Sequence, residues 1–205
     1  FITFLKLTRV DSILEKNLYL FKEHIGLFKA HNNYDIYDPK SKEIILHCRE
    51  KNLNIFYKII RTIKSSLKMF TPFEIEITHL NGQKVLKVKK NLSLIAKVEI
   101  FDENNNMVGY FKQKVWTFSN TFEIYNAKDK LLCKLTGNIF GWNFKFLKGE
   151  KEVGLVTKKW AGIGKEMFTS ADNYILEIKN KVGKDSPLRL LILASVVCID
   201  MVLNE

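Results

Sequence analysis

The chain has 205 residues, of which 46% are hydrophobic and 12% aromatic, while glycine and proline number only 10 and 3. This composition excludes a disordered tail, a flexible linker and a collagen-like fibre. The formal net charge of +11 favours anionic partners such as a membrane surface, phosphoinositides or nucleic acid, although an idle basic surface would have the same charge. The length predicts one domain over residues 1–205, or two small ones.

Strand-type alternation of apolar and polar residues dominates the chain and returns at regular intervals. Apolar-x-apolar motifs, each followed by a polar turn, begin at Tyr34, Phe73, Val98, Phe122, Phe144 and Tyr174. When the longer gaps are assigned to helical inserts, each step fits two strands and two turns, which is the pattern of a repeated hairpin. The mainly β chain then has about twelve strands if residues 18–23 open the series, with residues 1–16 as a peripheral segment.

Residues 53–68 interrupt the strands with the periodicity of a helix. Two sets of side chains define its faces, the apolar Phe56, Ile59, Ile60, Ile63 and Leu67 and the basic Lys58, Arg61, Lys64 and Lys68. A short basic amphipathic helix of this kind either lies on a membrane surface or packs its apolar face over one mouth of a barrel. The sequence leaves both interpretations open.

Outward lysines on the strands form a second basic surface. Alternation directs one apolar set inward, namely Leu86, Val88, Val98, Ile100, Leu135, Phe144 and Phe146. It therefore directs outward Lys87, Lys89, Lys97, Lys134 and Lys145, and Lys112 and Lys114 share a face of the neighbouring strand. Lysines on adjacent strands can converge on one phosphate, or they are solvated side chains that discourage aggregation of strand edges.

The C-terminal residues 187–204 predict a helix that is apolar on every side. Pro187 suits a first helical turn, and the ten residues 190–199 contain no charged side chain. Because about twelve strands enclose a lumen that something must occupy, we predict an antiparallel barrel that encloses this helix. A membrane span over residues 188–203 is the alternative, but the apolar run is short of the about 20 residues that spanning needs.

Motifs for catalysis and metal binding are scarce. No nucleophile elbow, zinc-protease motif or dinucleotide motif occurs, so we predict that the protein is not an enzyme. One segment has the spacing of the ligands at positions 1, 3 and 5 of a calcium loop, with Asp102, Asn104 and Asn106. However, Met107 replaces the turn glycine of that loop, and Gln113 replaces its bidentate glutamate. A polar hairpin turn is therefore the favoured interpretation of this segment.

The three cysteines, Cys48, Cys133 and Cys198, are odd in number and far apart in the sequence. They form no C-x-x-C pair, which excludes a disulfide scaffold or a zinc knuckle of the usual spacing. Cys48 and Cys198 lie in apolar surroundings, where a buried free thiol is the usual state. We therefore expect a reducing, intracellular location.

The segment KKWAGIGKEMFTSADNY, residues 158–174, resembles the phospholipid scramblase family, with its relatives the tubby C-terminal and LURP-one-related domains. The shared features are Trp, Gly, a Phe-Thr pair and an Ala-Asp-Asn-aromatic run. The ending VVCIDMVLNE resembles the closing helix of the family, and WNFKF and FDENNNMVGYFKQK resemble its hairpins. The likeness runs from about residue 17 to the end of the chain. It implies a tubby-like twelve-stranded barrel around a hydrophobic C-terminal helix, and contact with phospholipid.

The resemblance also implies calcium-dependent movement of lipid between leaflets, for which this sequence is a poorer fit. Scramblases follow the Asp-Asn pair with a run of acidic residues proposed to bind calcium. Here Asp172 is followed, up to residue 185, only by the acidic Glu177 and Asp185, with lysines between them. These three residues are weak calcium candidates, and we expect no other cofactor.

Together these patterns predict a cytoplasmic barrel, peripheral at the membrane, that docks on anionic phospholipid or phosphoinositide head groups. The predicted lipid-binding residues are Lys87, Lys89, Lys112, Lys114, Lys58, Arg61 and Lys64. One alternative is a lipid translocator whose helix at 188–203 spans the bilayer. The other is a nonspecific nucleic-acid-binding or structural interaction domain, which inward-facing aromatic residues make less favourable because they form no stacking platform.

Overall fold

A computed structural model describes residues 13–24, 33–51, 54–63, 70–93, 97–114, 120–138, 142–158, 173–184 and 186–203. The strands are β1 (Leu18–Glu23), β2 (Tyr34–Tyr37), β3 (Ile44–Glu50), β4 (Phe73–His79), β5 (Lys84–Lys90), β6 (Lys97–Asp102), β7 (Met107–Gln113), β8 (Asn120–Asn126), β9 (Leu131–Asn138), β10 (Asn143–Lys148), β11 (Lys151–Thr157) and β12 (Asn173–Ile178). Helix α1 (Ile55–Ile63) lies between β3 and β4, and helix α2 (Pro187–Leu203) follows β12.

The strands form one closed antiparallel barrel, which confirms the predicted architecture. Each strand pairs with its neighbours in the chain, and β1 closes the ring by pairing with β12. The residue range 18–23 is indeed the opening strand. The six motif anchors fall in the even-numbered strands, and all of them are buried. The repeated-hairpin spacing of the sequence was therefore a correct prediction of the strand order.

The alternation of side chains also follows the prediction. All seven apolar residues predicted to point inward, from Leu86 to Phe146, are 0% exposed. Lys97, Lys134 and Lys145 are exposed on the outer surface, while Lys87 and Lys89 are half-buried there. The pairing of Val88 with Ile100 keeps both side chains on the inner face of β5 and β6.

Helix α2 fills the lumen of the barrel, as predicted. Every side chain from Leu191 to Val202 is at most 3% exposed. Strand β7 approaches the helix at Gly109, where an added Cβ would lie 2.1 Å from the carbonyl oxygen of Tyr125 and 3.2 Å from Cδ1 of Leu191. Only glycine fits there, because a Cβ would clash with the backbone of the neighbouring strand β8.

Among the described residues, no helix combines the length and the hydropathy that crossing a bilayer requires.

Two buried polar residues hold the ends of α2 to the barrel. Near its C-terminus, the Asp200 carboxylate accepts hydrogen bonds from the hydroxyl of Tyr174, at 2.6 Å, and from that of Tyr34. Burial and this carboxylate raise the pKa of Tyr34 well above 10.0. Near the N-terminus, Arg189 donates to the backbone oxygens of Leu14, at 3.1 Å, and Val182, at 3.2 Å. The helix is thus fixed at both ends of the lumen.

The three cysteines are free and buried, as the sequence predicted for Cys48 and Cys198. Burial raises the pKa of the Cys133 thiol to about 12 and also raises those of the other two. None of the three is a reactive surface thiol.

The barrel has two different ends. At the hairpin end the connecting segments have no more than eight residues each, and they are residues 38–43, 80–83, 103–106, 127–130, 149–150 and 179–186. At the opposite, long-connection end the strands are joined by residues 24–33, 51–72, 91–96, 114–119, 139–142 and 158–172. Helix α2 begins at the hairpin end, and its Asp200 reaches the long-connection end, where Tyr34 and Tyr174 lie near the starts of their strands.

Candidate functional site

The connecting segments of the two ends differ sharply in sequence. Those of the long-connection end contain ten lysines or arginines against two acidic residues, and ten aromatic residues that include all three tryptophans of the chain. Those of the hairpin end contain seven basic and six acidic residues and no aromatic residue. Basic and aromatic residues together are typical of protein surfaces that meet an anionic membrane interface. The long-connection end is therefore the candidate functional site.

Helix α1, at this end, turns its apolar residues toward solvent. Ile55 is 73% exposed, Phe56 61% and Ile59 51%. The described helix covers residues 55–63 of the predicted range 53–68, and residues 53 and 64–68 lie outside the described residues. A helix that closed the barrel mouth with its apolar face would bury Phe56 and Ile59, so that interpretation is wrong for these two residues. Their exposure fits the other interpretation, a helix at a membrane surface.

The structure corrects the prediction that Arg61 is a lipid-binding residue. Instead of facing solvent, it is 5% exposed. Its guanidinium donates to Oε1 of Glu50 at 2.7 Å, to Oγ1 of Thr71 at 2.8 Å and to the carbonyl oxygen of Pro72 at 2.8 Å. These internal partners occupy the guanidinium, so Arg61 anchors α1 to the end of β3 and to the two residues before β4. Of the other helix candidates, Lys58 lies in α1 without a described side chain, and Lys64 lies outside the described residues.

Lys90 lies close to this anchor and was not singled out in the sequence. It is the last residue of β5, points inward and is 1% exposed. Its ammonium contacts the carbonyl oxygens of Asn91, at 3.4 Å, and Thr71, at 3.5 Å. Desolvation, aided by the charge of Arg61, lowers the pKa of Lys90. Alternation from Leu86 already placed this lysine on the inner face, and could have identified it.

The two predicted lipid-binding lysines of β5 lie among acidic residues of the neighbouring strands. Lys89 pairs in register with Glu74 of β4 and Glu99 of β6. Lys87 pairs with Glu76 and with Phe101, and its ammonium lies 4.8 Å from the centre of the Phe101 ring. Opposite charges on adjacent strands stabilise the wall and reduce its net potential. The structure thus does not gather Lys87 and Lys89 into a purely basic patch.

Lys112 and Lys114 lie in a more exposed position beside the long-connection end. Both are exposed, and Lys112 is directly opposite the exposed Lys97 of β6. Lys97 itself lies 3.3 Å from Oε1 of Glu99 and 4.5 Å from the centre of the Tyr110 ring. Like charges placed directly opposite each other destabilise a sheet, and here Glu99 beside Lys97 and Glu123 of β8 opposite Lys112 offset part of that cost.

A carboxylate with three nitrogen donors lies on the outer wall of β2 and β3. Asp35 accepts from Nε2 of His24 at 2.7 Å, Nδ1 of His47 at 2.8 Å and Nη2 of Arg49 at 2.5 Å. Partial burial by itself raises the pKa of Asp35, but these hydrogen bonds outweigh it and lower the pKa to about 2. Alternation placed Asp35, His47 and Arg49 on one face, but only the register brings them together.

The residues proposed for calcium do not form a described site. Asp172 and Asp185 lie outside the described residues. Glu177 of β12 accepts a hydrogen bond at 2.7 Å from the ammonium of Lys179, whose pKa this contact raises. In this structure the Glu177 carboxylate is thus paired with a lysine, and its role as a calcium ligand stays a prediction. In the described part of the chain no three His, Cys, Asp or Glu side chains form a possible metal site.

The hairpin end carries a cavity of ≈ 780 Å³ between the start of α2 and the adjacent turns. Its lining mixes charges of both signs, including Glu15, Lys128 and Arg189. The apparent calcium loop at its edge is a polar hairpin turn, as expected, because Oδ1 of Asp102 accepts the backbone N–H groups of residues 104 and 106 at 2.9 and 2.8 Å. No single ligand chemistry matches this mixed lining.

Comparison with known proteins connects this architecture to a family. The chain is 23% identical to human phospholipid scramblase 2, over 97% of this chain and 69% of that protein. It is 28% identical to human phospholipid scramblase family member 5, over 58% of this chain and 48% of that protein. A phospholipid scramblase family protein of Schizosaccharomyces pombe is 22% identical over 80% of this chain and 45% of its own length. The chain thus spans about half the length of the last two relatives.

A solved structure supports the fold. The X-ray structure of a protein from Arabidopsis thaliana superposes with a TM-score of 0.52 at 8% identity, covering 89% of this chain and 90% of the other. At that identity the likeness concerns the fold alone, and it is consistent with the predicted tubby-like barrel. The family model named Scramblase matches residues 4–205, nearly the whole sequence. The chain therefore belongs to the scramblase family.

Proposed function

We propose that this protein is a peripheral phospholipid-binding protein that docks on anionic membranes with its long-connection end. The observation that carries the proposal is the segregation of charge and aromatic residues. Eight of the eleven net positive charges and every tryptophan belong to the connections of one end. Membership of a family whose relatives are named phospholipid scramblases supports a phospholipid as the ligand.

Within this surface, Lys112 and Lys114 are the main head-group contacts, with Lys97 beside them. All three are exposed, and they lie at or next to strand ends that face the long connections. Each lysine near an anionic leaflet contributes about 1 kcal/mol to binding. Lys87 and Lys89 contribute less, because both are half-buried and glutamates of both neighbouring strands face Lys89. Lys112 faces one glutamate, Glu123 of β8, but its side chain is exposed. Lys58 and Lys64 add charge in the α1 segment.

Lipid translocation through a spanning α2 is the weaker proposal. The helix is enclosed by the strands, and its Asp200 is hydrogen-bonded to two tyrosines of the wall. Leaving the barrel would break those bonds and empty the lumen. Each large aliphatic side chain withdrawn from the interior loses about 1.5–3 kcal/mol of burial. A docking role requires no such rearrangement.

Flotation with lipid vesicles tests the proposed function. The protein is mixed with neutral phosphatidylcholine vesicles or with vesicles that also contain phosphatidylserine, at several salt concentrations. We expect recovery with the anionic vesicles only, decreasing as salt screens the charges. Equal recovery on neutral and anionic vesicles would refute the electrostatic mechanism, and binding to nucleic acid with no binding to either vesicle would favour the nucleic-acid alternative.

A further inference from the structure

We infer that α1 is a membrane-insertion element, whose exposed apolar side chains enter the boundary between head groups and acyl chains. The inference rests on the proposed function and extends it, because it adds an apolar contribution to a surface so far described by its charges. It also gives Arg61 and Glu50 a role, which is to hold the helix with its apolar side outward.

The exposed apolar residues of α1 are neighbours on one side of the helix. Ile59 is four positions from Ile55 and three from Phe56, which are the spacings of adjacent side chains on a helix surface. Two more exposed apolar residues, Phe70 and Leu92, lie in connections of the same end. In the described part of the chain, five of the seven exposed large hydrophobic residues are therefore at the long-connection end.

The ion pair between Arg61 and Glu50, on the other side of the helix, fixes this orientation of α1. Arg61 is five positions from Phe56 and two from Ile59, which directs it away from both by more than a third of a turn. Its ion pair with Glu50 is nearly inaccessible to water, with side-chain exposures of 2% and 0%. Breaking one partner of such a pair leaves an uncompensated buried charge. Rotating α1 to bury Phe56 would have to break this pair.

The charge around α1 identifies its partner as an anionic lipid surface rather than a protein groove or a second copy. The connection that contains α1, residues 51–72, carries five basic residues and no acidic one. Arg61 and Lys51 are paired with Glu50 and Glu76, and the other three are Lys58, Lys64 and Lys68. Two such surfaces facing each other in a dimer would repel. Basic residues around a small apolar face match an interface with negative head groups above hydrocarbon. Insertion is shallow, because only the apolar side of α1 enters while Arg61 on the other side stays bound to Glu50.

An environment-sensitive fluorophore on an introduced cysteine tests the insertion. The native Cys48, Cys133 and Cys198 are buried, so maleimide chemistry labels an exposed new thiol selectively. We expect Ile59→Cys labelled with a nitrobenzoxadiazole dye to show a blue shift and a several-fold gain in emission with phosphatidylserine-containing vesicles. The matched label at Asn104→Cys, exposed at the hairpin end, should not change. Vesicle binding with an unchanged spectrum at 59 would overturn the inference while leaving the proposed function intact.

A pair of double variants gives an independent measurement. Phe56→Ser with Ile59→Ser removes exposed apolar surface at the long-connection end, and Leu80→Ser with Leu131→Ser removes a comparable exposed pair at the hairpin end. We expect the first to lower vesicle affinity about 10-fold and the second to leave it unchanged. Equal affinities of the two variants, or a change only in the oligomeric state of the first, would overturn the inference. If the wild-type protein itself did not bind phosphatidylserine-containing vesicles, the proposed function would be refuted, and the inference with it.

Discussion

Each end of the barrel is fastened by a buried arginine, but the two arginines do different things. At the hairpin end, Arg189 belongs to α2 and donates to neutral acceptors, among them the backbone oxygens of Leu14 and Val182. At the long-connection end, Arg61 belongs to α1 and pairs with a carboxylate, Glu50. The first draws the surrounding segments over the start of the core helix. The second holds a surface helix with its apolar residues exposed.

The comparison teaches that this fold separates stability from recognition along the barrel axis. The strands and α2 build one continuous core, and their inward residues alternate in the same way around the whole wall. The connections are free to differ, because they contribute little to that core. In this chain the hairpin connections stay short and nearly neutral, while the others collect the basic and aromatic residues. Function is therefore expected where the connections are long.

The largest expected effect comes from breaking the ion pair that distinguishes the two ends. Arg61→Met removes the guanidinium that pairs with the buried Glu50 carboxylate and should lower the free energy of unfolding by about 3–5 kcal/mol. Adding Glu50→Met should recover most of that loss, because an apolar side chain then replaces the buried carboxylate that lost its arginine. Urea-induced unfolding followed by circular dichroism measures both variants.

The matched variant at the hairpin end is Arg189→Met. It frees several neutral carbonyl acceptors instead of one carboxylate, so no single second substitution should rescue it. If Glu50→Met failed to restore stability to Arg61→Met, the ion pair would not be what anchors α1. The contrast between the ends would then rest on sequence composition alone.

Replacing two lysines by alanine at one end of the barrel or the other should have a smaller effect, which is on membrane binding. Lys112→Ala with Lys114→Ala should cost about 2 kcal/mol of binding, or about 30-fold in affinity for phosphatidylserine vesicles. Lys128→Ala with Lys130→Ala removes the same charge at the hairpin end and should change affinity by much less. Comparable losses in both double variants would show that net charge, and not its position, controls binding.

The smallest effect concerns Asp35, on the outer wall near the long-connection end. Its pKa in the folded protein is about 2, below the ordinary 3.8, so its interactions stabilise the fold most when the carboxylate is ionised. Asp35→Asn should therefore be less stable than wild type above pH 4. The difference should shrink as the pH falls from 4 toward 2, where the wild-type carboxylate becomes protonated. Thermal unfolding across this range would contradict the prediction if the difference stayed constant.

Much of the fold could be predicted from the sequence because its rules are local. The even-numbered strands were located from apolar-x-apolar motifs such as those at Phe73 and Phe122, and both residues are buried. The uniformly apolar run of α2 indicated a buried helix, and a barrel of about twelve strands needs a filled lumen. These predictions depend on periodicity and on volume, which a single sequence carries.

The candidate site was predicted less well because it depends on contacts between distant residues. Period-two alternation correctly put Lys87 and Lys89 outside, but could not show that Glu74 and Glu99 face Lys89 across the register. Helical periodicity placed Arg61 among the basic residues of α1, and on that basis it was predicted to face solvent. Its charge is buried because Glu50, eleven residues away, occupies the end of a neighbouring strand.

The sequence by itself determined that this chain forms hairpin strands around an apolar helix, since alternation and hydropathy follow from which side chains avoid water. Only the tertiary structure decided which end of the barrel gathers the basic and aromatic connections, and which side of α1 faces outward. The physical reason is that strand register and closure of the ring join residues far apart in sequence. The hydrogen bond between Tyr34 and Asp200, which are 166 positions apart, exists only after those distances have closed. The Arg61–Glu50 ion pair spans eleven positions and forms only when α1 packs against the end of β3.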